Sequence, residues 1–70
     1  MTPTQEILVR LKSDELLSYI RQVGLTFVGV KPTQSRLLNL INRFERLPDV
    51  EVSPHSVDGQ VTVYKVASLV

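Results

Sequence analysis

Between residues 33 and 47 the apolar positions recur at three- and four-residue steps, as Leu37, Leu40, Ile41, Phe44 and Leu47. At about 100° per residue they fall within an arc of about 120°, which is one face of a helix. Pro32 and Thr33 supply start chemistry, and Pro48 ends the helix because proline disfavours helical backbone at the residue before it. The pattern predicts a helix from Thr33 to Leu47. A second helix is predicted over Asp14–Val23, where Leu16, Leu17, Tyr19, Ile20 and Val23 share one side and Ser18, Arg21 and Gln22 the other. Ser13, Asp14 and Glu15 suit its positive N-terminal end, and Gly24 suits its stop.

Elsewhere the period is two. Leu25–Val30 is short, rich in β-branched and aromatic residues and framed by Gly24 and Lys31-Pro32, which predicts a mostly buried strand. Val50-Glu51-Val52 and Val61–Val66 alternate and flank Asp58-Gly59, a favoured pair for tight hairpin turns. Pro54 donates no ladder hydrogen bond, so the first hairpin strand either ends at Ser53 or lies at a sheet edge. The first eleven residues carry two signals. Thr2-Pro3-Thr4-Gln5 resembles a capped helix start, whereas Ile7, Val9 and Leu11 alternate as in a strand. One continuous helix over residues 5–23 would point Ile7 and Leu11 away from the Leu16–Val23 stripe, so a break is expected near Lys12-Ser13. A helix ending before that break is very short, and a strand is the reading adopted.

The expected order is therefore β-α-β-α-β-β, an α+β domain with two helices on one face of a four-stranded mixed sheet. The alternative is a winged helix with a C-terminal β-hairpin, in which residues 3–11 are helical. Over Leu37–Val66, with Asn42-Arg43-Phe44 in the helix and Asp58-Gly59-Gln60 before the last strand, the chain resembles small β-α-β-α-β-β nucleic-acid-binding domains in its order of elements. The C-terminal domain of translation initiation factor 3 and the Alba proteins are two such families. The resemblance implies nucleic-acid binding, and no residue role is carried over from either.

Seventy residues make one domain, and folding at this size buries only about 60% of the surface of the unfolded chain. With 43% hydrophobic and 21% charged residues the composition is that of a folding chain, not a disordered one. The absence of cysteine excludes disulfides and thiolate metal sites and fits a reducing cytoplasm. Neither a signal peptide nor an apolar run near the roughly 20 residues needed to cross a bilayer is present, so no membrane association is expected. Net charge is only +1, but it is unevenly placed. Residues 31–46 carry Lys31, Arg36, Arg43 and Arg46 against Glu45, whereas residues 47–70 carry Asp49, Glu51 and Asp58 against Lys65.

That imbalance selects the candidate site. Arg36, Asn39, Arg43 and Arg46 fall within about 80° on the predicted Thr33–Leu47 helix, and Lys31 extends the row at its start. Arginine grips phosphate through a planar fork of donors, and arginine and asparagine both hydrogen-bond base edges. A solvated helix face is the plain alternative. The hairpin adds little, since His55 is the only potential cation from Asp49 to Gln60. Tyr64 is a candidate stacking residue, with packing across the hairpin the simpler role.

His55 lies among Ser53, Ser56 and Asp58, which have the residue types of a nucleophilic triad without its convergence from separate elements, and it reads as a turn histidine. Asp49 and Glu51 read as a solvent-facing row, and Gly24, Gly29 and Gly59 are too scattered to cradle phosphate. The expectation is a non-enzymatic DNA- or RNA-binding module, without metal or cofactor, whose contacts are Lys31, Arg36, Asn39, Arg43 and Arg46. Its rival is a small regulatory protein that binds another protein through the same face or a sheet edge. The apolar tail Val66–Val70 leaves homodimerisation open.

Overall fold

A computed structural model describes residues 1–70 and contains three helices and three strands. In chain order these are α1 (Pro3–Leu8), α2 (Ser13–Val23), β1 (Leu25–Val30), α3 (Ser35–Glu45), β2 (Val50–Asp58) and β3 (Val61–Ser68). The expected first strand is a helix. Thr2 caps it reciprocally: its Oγ1 accepts from the Gln5 N–H at 3.2 Å, and Gln5 Oε1 accepts from the Thr2 N–H at 3.0 Å. Pro3 takes the first turn, where its missing N–H costs nothing. The alternation of Ile7, Val9 and Leu11 misleads because Ile7 is 60% exposed, while Leu8, between the apparent strand positions, is buried.

The four-stranded mixed sheet is thereby corrected to three antiparallel strands in the order β1-β3-β2. The winged-helix alternative is corrected too. Only a short turn at Pro32–Thr33 separates β1 from α3, so no helix precedes α3 where a helix-turn-helix requires one.

The break expected near Lys12-Ser13 is present, and Glu15 Oε1 accepts from the Lys12 N–H at 2.8 Å to start α2. Gly24 ends α2 with φ +76°, a left-handed conformation suited to glycine. α3 is shorter than its periodic stretch, because Arg46 and Leu47 close a tightened turn onto the carbonyls of Arg43 and Phe44.

All eleven buried residues are apolar, and α3 supplies Leu37, Leu40, Ile41 and Phe44, so this helix is the centre of the core. It packs with α2 on one face of the sheet, against Val28 and Val30 of β1 and Val66 of β3. Strand alternation fixes the other face: Leu25, Phe27 and Gly29 from β1, Val61, Val63, Lys65 and Ala67 from β3, and Glu51 and Ser53 from β2. No helix covers that face, and Leu25 and Phe27 stand 47% and 50% exposed.

The sheet edges are both modified. The Ser68 N–H donates to the Gly24 carbonyl, so the even residues of β1 face β3 and the odd residues direct their backbone groups outward. Gln5 Nε2 of α1 reaches this outer edge and donates to the Gly29 carbonyl at 3.4 Å. On the opposite edge, the Leu69 N–H donates to the Asp49 carbonyl, which places Pro54 among the outward-directed residues of β2. Its lack of an N–H then breaks no bond, and β2 runs on to Asp58. The register slips between Pro54 and Ser56, leaving His55 in a bulge and not in the turn expected for it.

Candidate nucleic-acid interface

The predicted row occupies one flank of α3 and does not form a single free surface. Lys31, Arg36, Asn39 and Arg46 are exposed, but Arg43 is half-buried. The cause is geometric. At about 100° per residue, Arg43 lies only about 40° from Leu47 on the helical wheel, so the row borders the buried arc instead of opposing it. A neighbouring element is needed to cover that border, and α1 does so.

Three contacts seat α1 there. Leu8 enters the core, Gln5 reaches Gly29 on the β1 edge, and the Arg43 guanidinium donates to the Leu11 carbonyl in the α1–α2 link. Between α1 and α3 lies a cleft of about 130 Å³ lined by Val9, Arg36, Asn39, Leu40 and Arg43. It brings together three of the five predicted residues, Arg36, Asn39 and Arg43. Lys31 stands outside it at the start of α3, where its backbone N–H donates to Gln34 Oε1, and Arg46 stands outside it at the other end.

The structure adds Arg10 and Glu6. Glu6 Oε2 lies 3.8 Å from Arg10 NH2 and 3.9 Å from Arg36 NH1, so one carboxylate oxygen sits between two guanidinium groups. These separations exceed the roughly 2.7–2.9 Å of a charge-assisted hydrogen bond, so both guanidinium groups keep donors that the carboxylate does not engage closely. Glu6 thus joins Arg10 to Arg36, and Arg36 in turn shares the cleft with Arg43. Sequence reasoning missed Arg10 because a strand over residues 3–11 has no reason to lie beside α3. The available signal was the Thr2–Gln5 capping pattern together with the i, i+4 spacing of Glu6 and Arg10.

The remaining candidates separate from this cluster. Tyr64 is partly buried against the core on the helix-covered side of the sheet. His55 makes no hydrogen bond to Ser53, Ser56 or Asp58; its ring lies 4.8 Å from that of Phe27, tilted by 52°. The contact passes over the central strand β3 on the open face, since Phe27 belongs to β1 and His55 to β2. Asp49 adopts φ +59° in the turn before β2, while Glu51 is exposed within the strand. No group of three His, Asp or Glu side chains forms a metal-ligand set, and no helix is long and apolar enough to cross a membrane.

The cleft is therefore equipped to hold an oxyanion by charge and by directed donors, with apolar walls from Val9 and Leu40. No protein-family model, curated protein or solved structure matches the chain.

Proposed function

We propose that this domain binds nucleic acid through phosphate contacts centred on the α1–α3 cleft. Arg36, Asn39 and Arg43 line it, Arg10 joins from the turn after α1, and Lys31 and Arg46 extend it just before and just after α3. The observation that carries this reading is that Arg36 links two groups, sharing the cleft with Asn39 and Arg43 and sharing the Glu6 carboxylate with Arg10. Arginine's fork of donors suits phosphate oxygens, and a cluster of like charges favours a polyanion over an isolated anion. A protein partner on a sheet edge has less support. The β1 edge is capped at Gly29 by Gln5, and the β2 edge carries Pro54 and a bulge, which are devices that discourage strand addition.

Fluorescence anisotropy with labelled duplex DNA, single-stranded DNA and RNA at low salt tests the proposal. Each phosphate contact contributes a slope of about 0.7–0.9 to the fall of log affinity with log salt, so three arginine contacts give a slope of about 2–3. Removing Arg10 and Arg36 together by alanine substitution is expected to lower the affinity and flatten the slope by about 1.4–1.8. Absence of measurable binding to all three nucleic acids at low salt overturns the reading.

A further inference from the structure

We infer that the nucleic acid is single-stranded and that it lays a base on the Phe27–His55 pair of the open sheet face. The inference rests on the phosphate-binding role proposed for the cleft and adds a second contact, made by different residues, that selects the form of the ligand.

A helix that reads a duplex inserts an exposed face into the major groove, with cations along its flanks. The core arc of α3 is buried, and the α1 segment borders its arginine flank at Arg36, Asn39 and Arg43. On the side turned away from α1 the exposed positions are Ser35, Leu38, Asn42 and Glu45, with no cation among them and one acid. Arg36 and Arg43 instead line the recess beside α1, with Arg46 exposed beyond its end, an arrangement that suits a single backbone better than groove insertion.

A half-exposed Phe27 on an uncovered sheet offers a ring face of the kind on which unpaired bases stack, with the His55 ring at 4.8 Å, tilted by 52°, flanking it. The β2 bulge re-aims His55, because the extra residue at the register slip is free of ladder pairing. Lys65 is directly opposite Phe27 on β3 and exposed, so a cation adjoins the rings where a phosphate beside a stacked base needs one. Glu51 and Asp58 also belong to this face but lie on β2, the far strand. They confine a polyanion's path to the β1 side.

Continuity joins the two surfaces. Phe27 and Gly29 are two residues apart on β1, about 7 Å, and Gln5 holds the Gly29 carbonyl at 3.4 Å. Glu6, next to Gln5, touches Arg10 and Arg36. The stacking surface and the arginine cleft therefore lie on either side of one sheet edge, within reach of one short strand of nucleotides passing over it.

The test compares a labelled oligonucleotide, alone and annealed to its complement, against the whole 70-residue chain. The single strand is expected to bind more tightly than the duplex. Phe27→Ala should weaken the single strand by about five- to a hundredfold, the range for loss of one stacked base, while leaving the salt slope unchanged. Phe27→Trp should retain binding and show quenched indole emission when the strand is added, a signal that phosphate contacts alone do not produce. Equal affinity for duplex and single strand, with Phe27→Ala neutral and the Phe27→Trp emission unmoved, overturns this inference and leaves the phosphate-binding role standing. Loss of all nucleic-acid binding in the parent protein removes both. If the open face is instead closed by a second copy, sedimentation equilibrium without nucleic acid gives twice the 7.9 kDa of one chain, reduced by Phe27→Asp, and that result also overturns it.

Discussion

Replacing Glu6 with glutamine separates the proposed role of the arginine cluster from a purely structural one, because the two predict opposite responses. The carboxylate lies 3.8 Å from Arg10 and 3.9 Å from Arg36, and its side chain is 39% exposed. Glu6→Gln keeps the shape and removes the charge. On stability the loss is small: exposed ion pairs are worth about 0–1 kcal/mol each, and an acid in the first turn of a helix adds about 0.3–1 kcal/mol. On binding the change has the opposite sign. A phosphate seated on Arg36 and Arg10 stands about 6 Å from the Glu6 carboxylate, and the repulsion is about 0.7 kcal/mol at the dielectric of water and about 3 kcal/mol at an effective value of 20. We predict that Glu6→Gln tightens oligonucleotide binding by about three- to a hundredfold at low salt, with the gain shrinking as salt screens it. Anisotropy titrations measure the affinity, and urea unfolding followed by circular dichroism confirms that the variant is folded. If a folded Glu6→Gln protein binds nucleic acid no better than the parent, the cleft is not the phosphate site, and Glu6 serves only to tie α1 to α3.

Arg43→Met removes a hydrogen bond from a charged donor to the Leu11 carbonyl while keeping much of the apolar stem, and is expected to cost about 1.5–3 kcal/mol in urea unfolding, with Arg43→Lys recovering only part of it. An unchanged midpoint for Arg43→Met refutes its anchoring role. Phe44→Ala empties the largest fully buried side chain of the core and is expected to cost about 3–5 kcal/mol. That is a large share of the roughly 4–10 kcal/mol typical of a 70-residue domain, so the variant should lose its cooperative transition or unfold near ambient temperature.

What was legible in the sequence is what local chemistry decides. The α2 and α3 stripes, the Gly24 stop and the Asp58-Gly59 hairpin follow from periodicity and turn residues, and Leu37, Leu40, Ile41 and Phe44 are the buried positions of α3; β1 is a strand as expected, but it lies at an edge with only Val28 and Val30 buried, not mostly buried. The N-terminal segment failed because two local signals conflicted and the weaker-looking one was correct. Three apolar side chains at a spacing of two suggest a strand, yet Ile7 points to water and Leu8 to the core, a choice made by tertiary packing and not by propensity. That error made the sheet one strand too wide. It also hid Arg10 and the partial burial of Arg43, whose place on the border of the apolar arc was visible but meant nothing without an element to cover it. The aromatic pair was hidden for another reason: His55 reaches Phe27 only because a bulge re-aims it across a third strand, and a register slip leaves no mark in composition.

The N-terminal helix also connects stability to binding. Six residues of helix are far below the roughly 12–15 at which an isolated helix becomes marginal, so α1 persists through its attachments to the rest of the domain. Those attachments are Leu8 in the core, the Gln5–Gly29 and Arg43–Leu11 hydrogen bonds, and the Glu6–Arg36 ion pair. Two of the four use arginines of the proposed phosphate site, and α1 itself carries Glu6 at that site. A bound phosphate that draws Arg10 and Arg36 together can replace the cohesion Glu6 supplies now, holding α1 against α3 by a stronger charge in the same place. If the cleft binds only when α1 is docked, ligand must stabilise the docked form by mass action, to the extent of about 2.7 kcal/mol at a hundred times the dissociation constant. Amide hydrogens of α1 and of the link at Leu11 should then exchange more slowly in the complex, whereas a ligand bound elsewhere on the domain would leave their local opening unchanged.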